Sequence, residues 1–342
     1  MINGLIILII FLSLTFILRL FFLKINFLVE KKTSNSHRSL LNTKFKKVQC
    51  GGVLLFLFTS YNVISLDLFL FVSLLLILIL GVLSDIEFIN SPNLRIIIQF
   101  FIITFLVTTS STLVEETRIP FLDNLLNNNL FQIIFTIFCF LVLINGSNFI
   151  DGINSLLVVY YIIVSFSILI IKDNLNISFF DDLFYVMIIG LFTVFIFNFF
   201  SKIIMGDSGA YFMGLLIGYF GIILSNSYIS ISPIFILNIL WFPAFENLFS
   251  IIRKYYSKIV PSKPDNFHLH HLIYLKFKKK FKKNNYTNSL SGILINVYNV
   301  SAIFIATYFV SHTGYLSVIL LFNIFVYILT YIILWKNLFP TK

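Results

Sequence analysis

The residues of this chain best equipped for chemistry are a few acids and histidines in an otherwise apolar sequence. "MGDSGAYFMG" (205–214) sets Asp207 and Ser208 between Gly206 and Gly209 at the mouth of a hydrophobic segment. A carboxylate at a membrane boundary needs water, a partner or a metal. "NFIDGINSL" (148–156) puts Asn148 and Asp151 three apart, on one face if helical. Gly152 after them permits a sharp bend or a close backbone approach. "FNFFSKIIMGDSG" (197–209) adds Asn198 and Lys202 upstream of Asp207, and "PDNFHLHH" (264–271) clusters His268, His270 and His271. Several carboxylates beside dense positive charge suit a divalent cation and phosphate groups.

For these residues to act together, the elements that carry them must end on one face of a membrane. The chain has 342 residues, 59% of them hydrophobic and 11% charged, with a mean hydropathy of +0.98. A soluble fold of this size could not solvate that composition. Apolar stretches of roughly 16 to 22 residues, each long enough to cross the hydrocarbon core, are expected near 2–22, 49–66, 68–84, 95–110, 130–147, 155–171, 183–200, 209–225, 230–250, 289–310 and 314–335. The expectation is an all-α, polytopic bundle of about 11 transmembrane helices forming a single integral membrane domain over 1–342. The first stretch lacks a basic leader and a cleavage site and reads as a retained helix. Cys50 and Cys139 imply neither a disulfide framework nor a thiolate metal site.

Basic residues set the orientation. With the N-terminus outside, loop 23–48 (Lys24, Lys31, Lys32, Arg38, Lys44, Lys46, Lys47) faces the cytoplasm. So does the basic loop 251–288, which carries the histidines. Of the 24 Lys and Arg residues, all but Arg19, Arg118 and Lys172 then fall on the inner side. Asp67, Glu115, Glu116, Asp123, Asp173, Asp181 and Asp182 land in outer loops, where they read as solvated surface. Asp85, Glu87, Asp151, Asp207, Glu246 and Asp265 land at the inner face. Lys and Arg alone fix the topology, so this convergence of acids is independent information.

Plainer readings exist for each motif. Asp207 or Ser208 could serve only as a helix cap; free backbone N–H groups at that helix start would instead favour a phosphate oxygen. A zinc site at His268 and His271 has no Cys and no further His near it in sequence, so donors to a nucleotide diphosphate or sugar fit better. "KFKKKFKK" (276–283) reads as a topology anchor lying on anionic lipid head groups, and no nucleic-acid partner is expected.

In this order the segments resemble the polyprenyl-phosphate N-acetylhexosamine-1-phosphate transferases, bacterial enzymes of glycosyltransferase family 4 that include the phospho-MurNAc-pentapeptide translocase. The match covers roughly residues 35 to 275. "GVLSDIEFINSPNLRIIIQ" (81–99) is similar to the acidic loop, in which an Asp pair precedes an Arg or Lys and a Gln. "NFIDGINSL" and "FNFFSKIIMGDSG" are similar to the next two inner loops. "PDNFHLHHL" resembles the His-x-His-His motif of the sugar-phosphate branch, and "QCGGV" (49–53) the Gly-Gly start of the second span.

The resemblance implies transfer of a sugar 1-phosphate from a UDP-N-acetylated hexosamine to undecaprenyl phosphate, with UMP released. It implies a lipid diphosphosugar on the cytoplasmic leaflet of the bacterial inner membrane, opening a lipid-linked glycan such as a lipopolysaccharide O-antigen or another cell-envelope polymer. It implies Mg²⁺ or Mn²⁺ as cofactor, with Asp207 as metal ligand and Asn148 beside it. Asp85, Asp151 and Asp207 take the catalytic positions. Asn148, Asn154, Asn198, Lys202, Ser208, His268, His270 and His271 line the substrates. The oligomeric state stays open, a dimer being one arrangement.

This sequence departs from the pattern at four places. Ser84 replaces the first Asp of the pair, Ile204 a frequent aromatic, Asn154 a frequent Asp, and Glu246 the usual Asp in "PAFEN". Loss of the paired carboxylate is tolerable, because a phosphomonoester with a second pKa near ~6 is mostly dianionic at neutral pH and needs little help from a base. Direct attack of the lipid phosphate on the sugar-proximal phosphate is the expected route. A transporter or flippase is the rival reading, but it would place ionisable groups near the bilayer midplane. An outer-face polymerase would need elaborate outer loops, and those here are short.

Overall fold

Backbone polar groups in hydrocarbon must find partners within the chain, and helices meet that demand. The computed structural model describes residues 2–30, 46–175, 181–258, 260, 265–280 and 286–339. Lys31, Lys32, Arg38, Lys44, Lys263, Lys282, Lys283 and Lys342, which contribute to the orientation argument, lie outside the described residues. Fourteen helices occur among those described: α1 (Ile2–Ile25), α2 (Gly51–Leu66), α3 (Leu68–Asp85), α4 (Pro92–Thr109), α5 (Pro120–Leu126), α6 (Asn129–Ile150), α7 (Leu156–Leu175), α8 (Asp181–Phe199), α9 (Gly206–Ser227), α10 (Pro233–Ile239), α11 (Trp241–Tyr256), α12 (Leu269–Lys280), α13 (Thr287–Tyr308) and α14 (Thr313–Leu338).

Nine of these helices are long and apolar enough to cross a membrane, and α10 with α11 makes a tenth candidate, bent by 75°. α2, with 16 residues, is shorter. Each expected crossing therefore has a helix, although the ninth is not the straight span expected at 230–250. Pro243, in the first turn of α11, has no N–H to offer the Ile239 carbonyl. The Tyr160 hydroxyl donates to that carbonyl instead, at 2.7 Å.

Two starts differ from the expected ones in ways that matter for the site. α4 begins at Pro92, capped by Ser91, so Arg95 lies in its first turn. α9 begins at Gly206 rather than 209, which moves Asp207 and Ser208 into its first turn. α9 is buried along almost its whole length and packs against α2, α3 and α6. Gly52 of α2 and Gly81 of α3 allow this approach: a Cβ would collide with the backbone of Ser208 and Gly209 from the first, and of Asp207 and Ser208 from the second. The connection into α2 is pinned to the same place, with Val48 bridging both Val29 and Ile203.

Two of the acids assigned to outer loops are hydrogen-bonded rather than simply solvated. Asp67 caps α3, accepting from the Phe69 and Leu70 N–H groups at 2.7 and 3.1 Å and from the Tyr219 hydroxyl at 2.7 Å. Asp123 accepts from the N–H and the hydroxyl of Thr117, at 2.7 and 2.6 Å.

Candidate active site

The first turn of α9 is the focus of the end of the bundle where the motifs meet. Asp85, at the end of α3, is buried and turns its carboxylate onto that turn. Its Oδ1 accepts from the Asp207 N–H at 2.9 Å, and its Oδ2 from the Ser208 N–H and hydroxyl at 3.1 and 2.8 Å. Asp151, just past α6, accepts from the Gly206 N–H at 3.0 Å. Gly206 has φ +73°, and a Cβ there would stand 2.6 Å from Asp85 Oδ2, so only glycine suits the position. Two carboxylates thus answer N–H groups that a helix start leaves without internal partners, where the helix dipole also favours negative charge.

This corrects two expectations. The N–H groups of residues 206 to 208 do not await a phosphate, because carboxylates already occupy them. Ser208, fully buried with its hydroxyl bonded to Asp85, does not face a substrate.

Asp207 is held differently. Its Oδ2 accepts from the Ser84 hydroxyl at 2.5 Å and from Arg95 Nη1 at 2.6 Å. Arg95 also donates to Ser84 Oγ at 2.7 Å and reaches the Tyr211 hydroxyl at 3.5 Å. The Asn148 side chain lies beside Tyr211. Ser84 therefore bridges arginine and aspartate where the resemblance leads one to expect a second carboxylate. These partners are side chains that can turn away without unwinding a helix. Asp207, Ser84 and Asn148 offer oxygen donors only, the set that suits Mg²⁺ bound through one or two carboxylates and substrate phosphates. Among the described residues no group of three or more His, Cys, Asp or Glu could hold a metal by itself.

Two asparagines expected to line the substrate belong to the scaffold. Asn154 is buried, with its Nδ2 donating to Ser201 Oγ at 2.6 Å and its N–H to Asn288 Oδ1 at 3.2 Å. Asn198 is also buried, accepting from the Ser155 N–H at 2.6 Å and donating to the Ile203 carbonyl at 3.0 Å. Lys202 is exposed.

The histidines stand beside the carboxylates. His268 lies just ahead of α12 and His270 and His271 in its first turn, so most of the expected loop motif is helical. Ring centroids are 5.4 Å apart for His268–His270 and 4.2 Å for His270–His271. A Cβ at Gly152 would run into His270 Nε2 and approach His271 Nε2 at 2.9 Å. The close approach allowed by Gly152 is thus to the imidazoles. His270 is fully buried with neither ring nitrogen hydrogen-bonded. Burial, then the neighbouring His271 and His268, hold it well below the usual histidine range, so it is neutral.

Asp265 accepts both oxygens' bonds from Arg253, at 3.0 and 2.8 Å. Burial pushes its carboxyl up, but His268, the Phe267 N–H and Arg253 outweigh that and hold it below the ordinary value. Sequence reasoning singled out neither Tyr211 nor the pairing of Arg253 with Asp265. Tyr211 carried a legible signal, since it stands four residues after Asp207 on one helix face. The charged pairs have no sequence signature, because their partners arrive from other elements.

Residues 68–225 match the model described as glycosyl transferase family 4. Over 254 residues the chain is 26% identical to a probable undecaprenyl-phosphate N-acetylglucosaminyl 1-phosphate transferase of Bacillus subtilis (strain 168), covering 74% of this chain and 68% of the relative. Over 154 residues it is 31% identical to a decaprenyl-phosphate N-acetylglucosaminephosphotransferase of Mycolicibacterium smegmatis, covering 38% of this chain and 37% of that one.

Proposed function

Through residues 68–225 the chain belongs to glycosyl transferase family 4, and from that premise we propose a donor, an acceptor and a site. The chain is a multi-pass membrane phosphoglycosyltransferase that passes a sugar phosphate to a polyprenyl phosphate. The proposed donor is a UDP-N-acetylated hexosamine and the proposed acceptor undecaprenyl phosphate, in the inner membrane of a bacterium. An oxygen of the lipid phosphate attacks the sugar-proximal phosphorus. The bond from that phosphorus to the bridging oxygen breaks, and UMP leaves with the oxygen.

The observation that carries this reading is the meeting of four sequence-distant motifs at one end of the bundle. Asp85 and Asp151 both grip the first turn of α9, which carries Asp207, and Gly152 abuts the histidines. Asp207, Asn148 and Ser84 would hold Mg²⁺ or Mn²⁺. That ion would supply charge neutralisation for the diphosphate, the main requirement of phosphoryl transfer. Arg95 holds Asp207 in place through its Oδ2, and on release from it can take a phosphate oxygen. The imidazoles, with Arg253 behind them, form the wall for the nucleotide sugar. Asp85 supports direct attack over an aspartyl-phosphate: it is buried and both oxygens are engaged with α9. A carboxylate so tied cannot act as a nucleophile without freeing the helix start.

The test is turnover. Purified protein in detergent with undecaprenyl phosphate, Mg²⁺ and a panel of UDP-sugars releases UMP and forms a lipid diphosphosugar with at least one of them. No turnover with any of them, where a control transferase works, overturns the assignment.

A further inference from the structure

Glu246 is an acid that the proposed reaction does not use, and its surroundings are unusual. It lies in the first half of α11, within the broken crossing, and is 1% exposed. An ionisable group at such depth calls for named partners and a reason to be there. Glu246 has partners from three elements. Its Oε1 is 2.9 Å from His268 Nδ1 and accepts from the Leu269 N–H at 3.4 Å, while its Oε2 accepts from the Tyr327 hydroxyl of α14 at 2.7 Å.

Tyr327 is itself fixed. It is 2% exposed and packs edge-on against Phe245 and Phe249 of α11, with ring centroids 5.0 and 5.2 Å away. The line Tyr327–Glu246–His268 runs from the C-terminal hairpin to the histidine cluster, entirely outside the matched residues 68–225. A carboxylate at Nδ1 obliges the ring to carry its proton there, which fixes both tautomer and ring orientation. Nε2 is left 3.8 Å from Asp265 Oδ1, beyond hydrogen-bond length, as the ring atom able to meet a ligand.

We propose that Glu246 is a positioning residue, which with Tyr327 locks His268 into the Nδ1–H form and turns its Nε2 towards the nucleotide-sugar donor. The donor half of this statement rests on the function proposed above; the tautomer half does not. Glu246 acts only through His268. α14 thereby becomes part of the donor site although it contributes no residue that touches substrate.

Two measurements test it. In ¹⁵N-histidine-labelled protein, with His268 identified by its loss in His268→Ala, Nδ1 is protonated in the wild type. Glu246→Met abolishes that fixed state and Tyr327→Phe loosens it. A wild-type Nδ1 without a proton overturns the proposal whether or not the enzyme turns over. In the kinetic arm, Glu246→Met raises the KM for the UDP-sugar about tenfold, the scale expected when a buried donor loses a charged acceptor, and leaves the KM for polyprenyl phosphate unchanged. Glu246→Asp restores most of the donor KM, and Glu246→Met adds nothing in a His268→Ala background. Equal increases in both KM values, or independent effects of Glu246→Met and His268→Ala, would show a merely structural role. A wild type inactive with every UDP-sugar would reject the proposed function and leave the tautomer measurement to decide this inference.

Discussion

The two halves of the candidate site are built on opposite plans. At the start of α9 nearly every polar group has a partner inside the protein: Asp85 and Asp151 take backbone N–H groups, and Asp207 takes Ser84 and Arg95. In the histidine cluster, among the described residues, His270 is buried with both ring nitrogens unbonded, and His268 Nε2 stands 3.8 Å from Asp265 Oδ1, beyond hydrogen-bond length. A buried polar group left unmatched costs free energy, so the second half is the one arranged for a ligand to complete. Within the first half, the carboxylates bound to backbone fasten a helix. The carboxylate bound to side chains can change partners.

That difference predicts different outcomes for chemically identical substitutions. Asp207→Asn should lower UMP release by about 10²- to 10³-fold, the range for loss of a preorganised electrostatic group, with the thermal unfolding midpoint unchanged. Asp85→Asn should instead act on stability first. Losing the charged cap of α9 costs about 1–2 kcal/mol, read as a lower unfolding midpoint, with activity falling alongside. If Asp207→Asn destabilises as much as Asp85→Asn, the division between fastening and reactive carboxylates is wrong.

A smaller effect is expected on the imidazole side. Gly152→Ala places a methyl group against His270 and His271, where the rings can yield. The donor KM should rise several-fold, and the unfolding midpoint should fall by the ~1–3 kcal/mol typical of overpacking or less. An unchanged donor KM would mean that these rings do not shape the donor site.

The smallest effect is a pH dependence. His270 is held below its ordinary value of 6.5 in the folded protein, so the unfolded chain binds the additional proton as pH falls past that value. Stability therefore rises with pH across this window and declines on the acid side. His270→Gln should flatten the decline in unfolding midpoint between about pH 7 and 5, whereas the contribution of Asp265, held below 3.8, is lost only at more acid pH. An equally steep decline in the variant would place the effect elsewhere.

Much of this arrangement is legible in the sequence. Hydropathy located a helix for each expected crossing, and the acids assigned to the inner face from Lys and Arg alone do gather at one end. The break at Leu240 was not legible, because it depends on Pro243 together with a hydroxyl from α7. The division of labour among the aspartates was hidden for a related reason. An Asp beside a helix start reads the same whether it caps its own helix, as Asp67 does, or another, as Asp85 does. Asn154 and Asn198 show the converse: polar residues inside functional-looking motifs whose hydrogen bonds tie loops to α13 and α8. Glu246 is legible as one of the converging acids and as a departure from a familiar pattern, but its connection to His268 and Tyr327 requires the fold.

The most direct test of this division is Mn²⁺ binding followed by electron paramagnetic resonance, with UMP present, in the wild type, Asp207→Asn and Asp85→Asn. The account predicts a bound Mn²⁺ signal in the wild type and in Asp85→Asn below its unfolding temperature, and its loss in Asp207→Asn. An undiminished signal in Asp207→Asn, or a loss confined to Asp85→Asn, would contradict it.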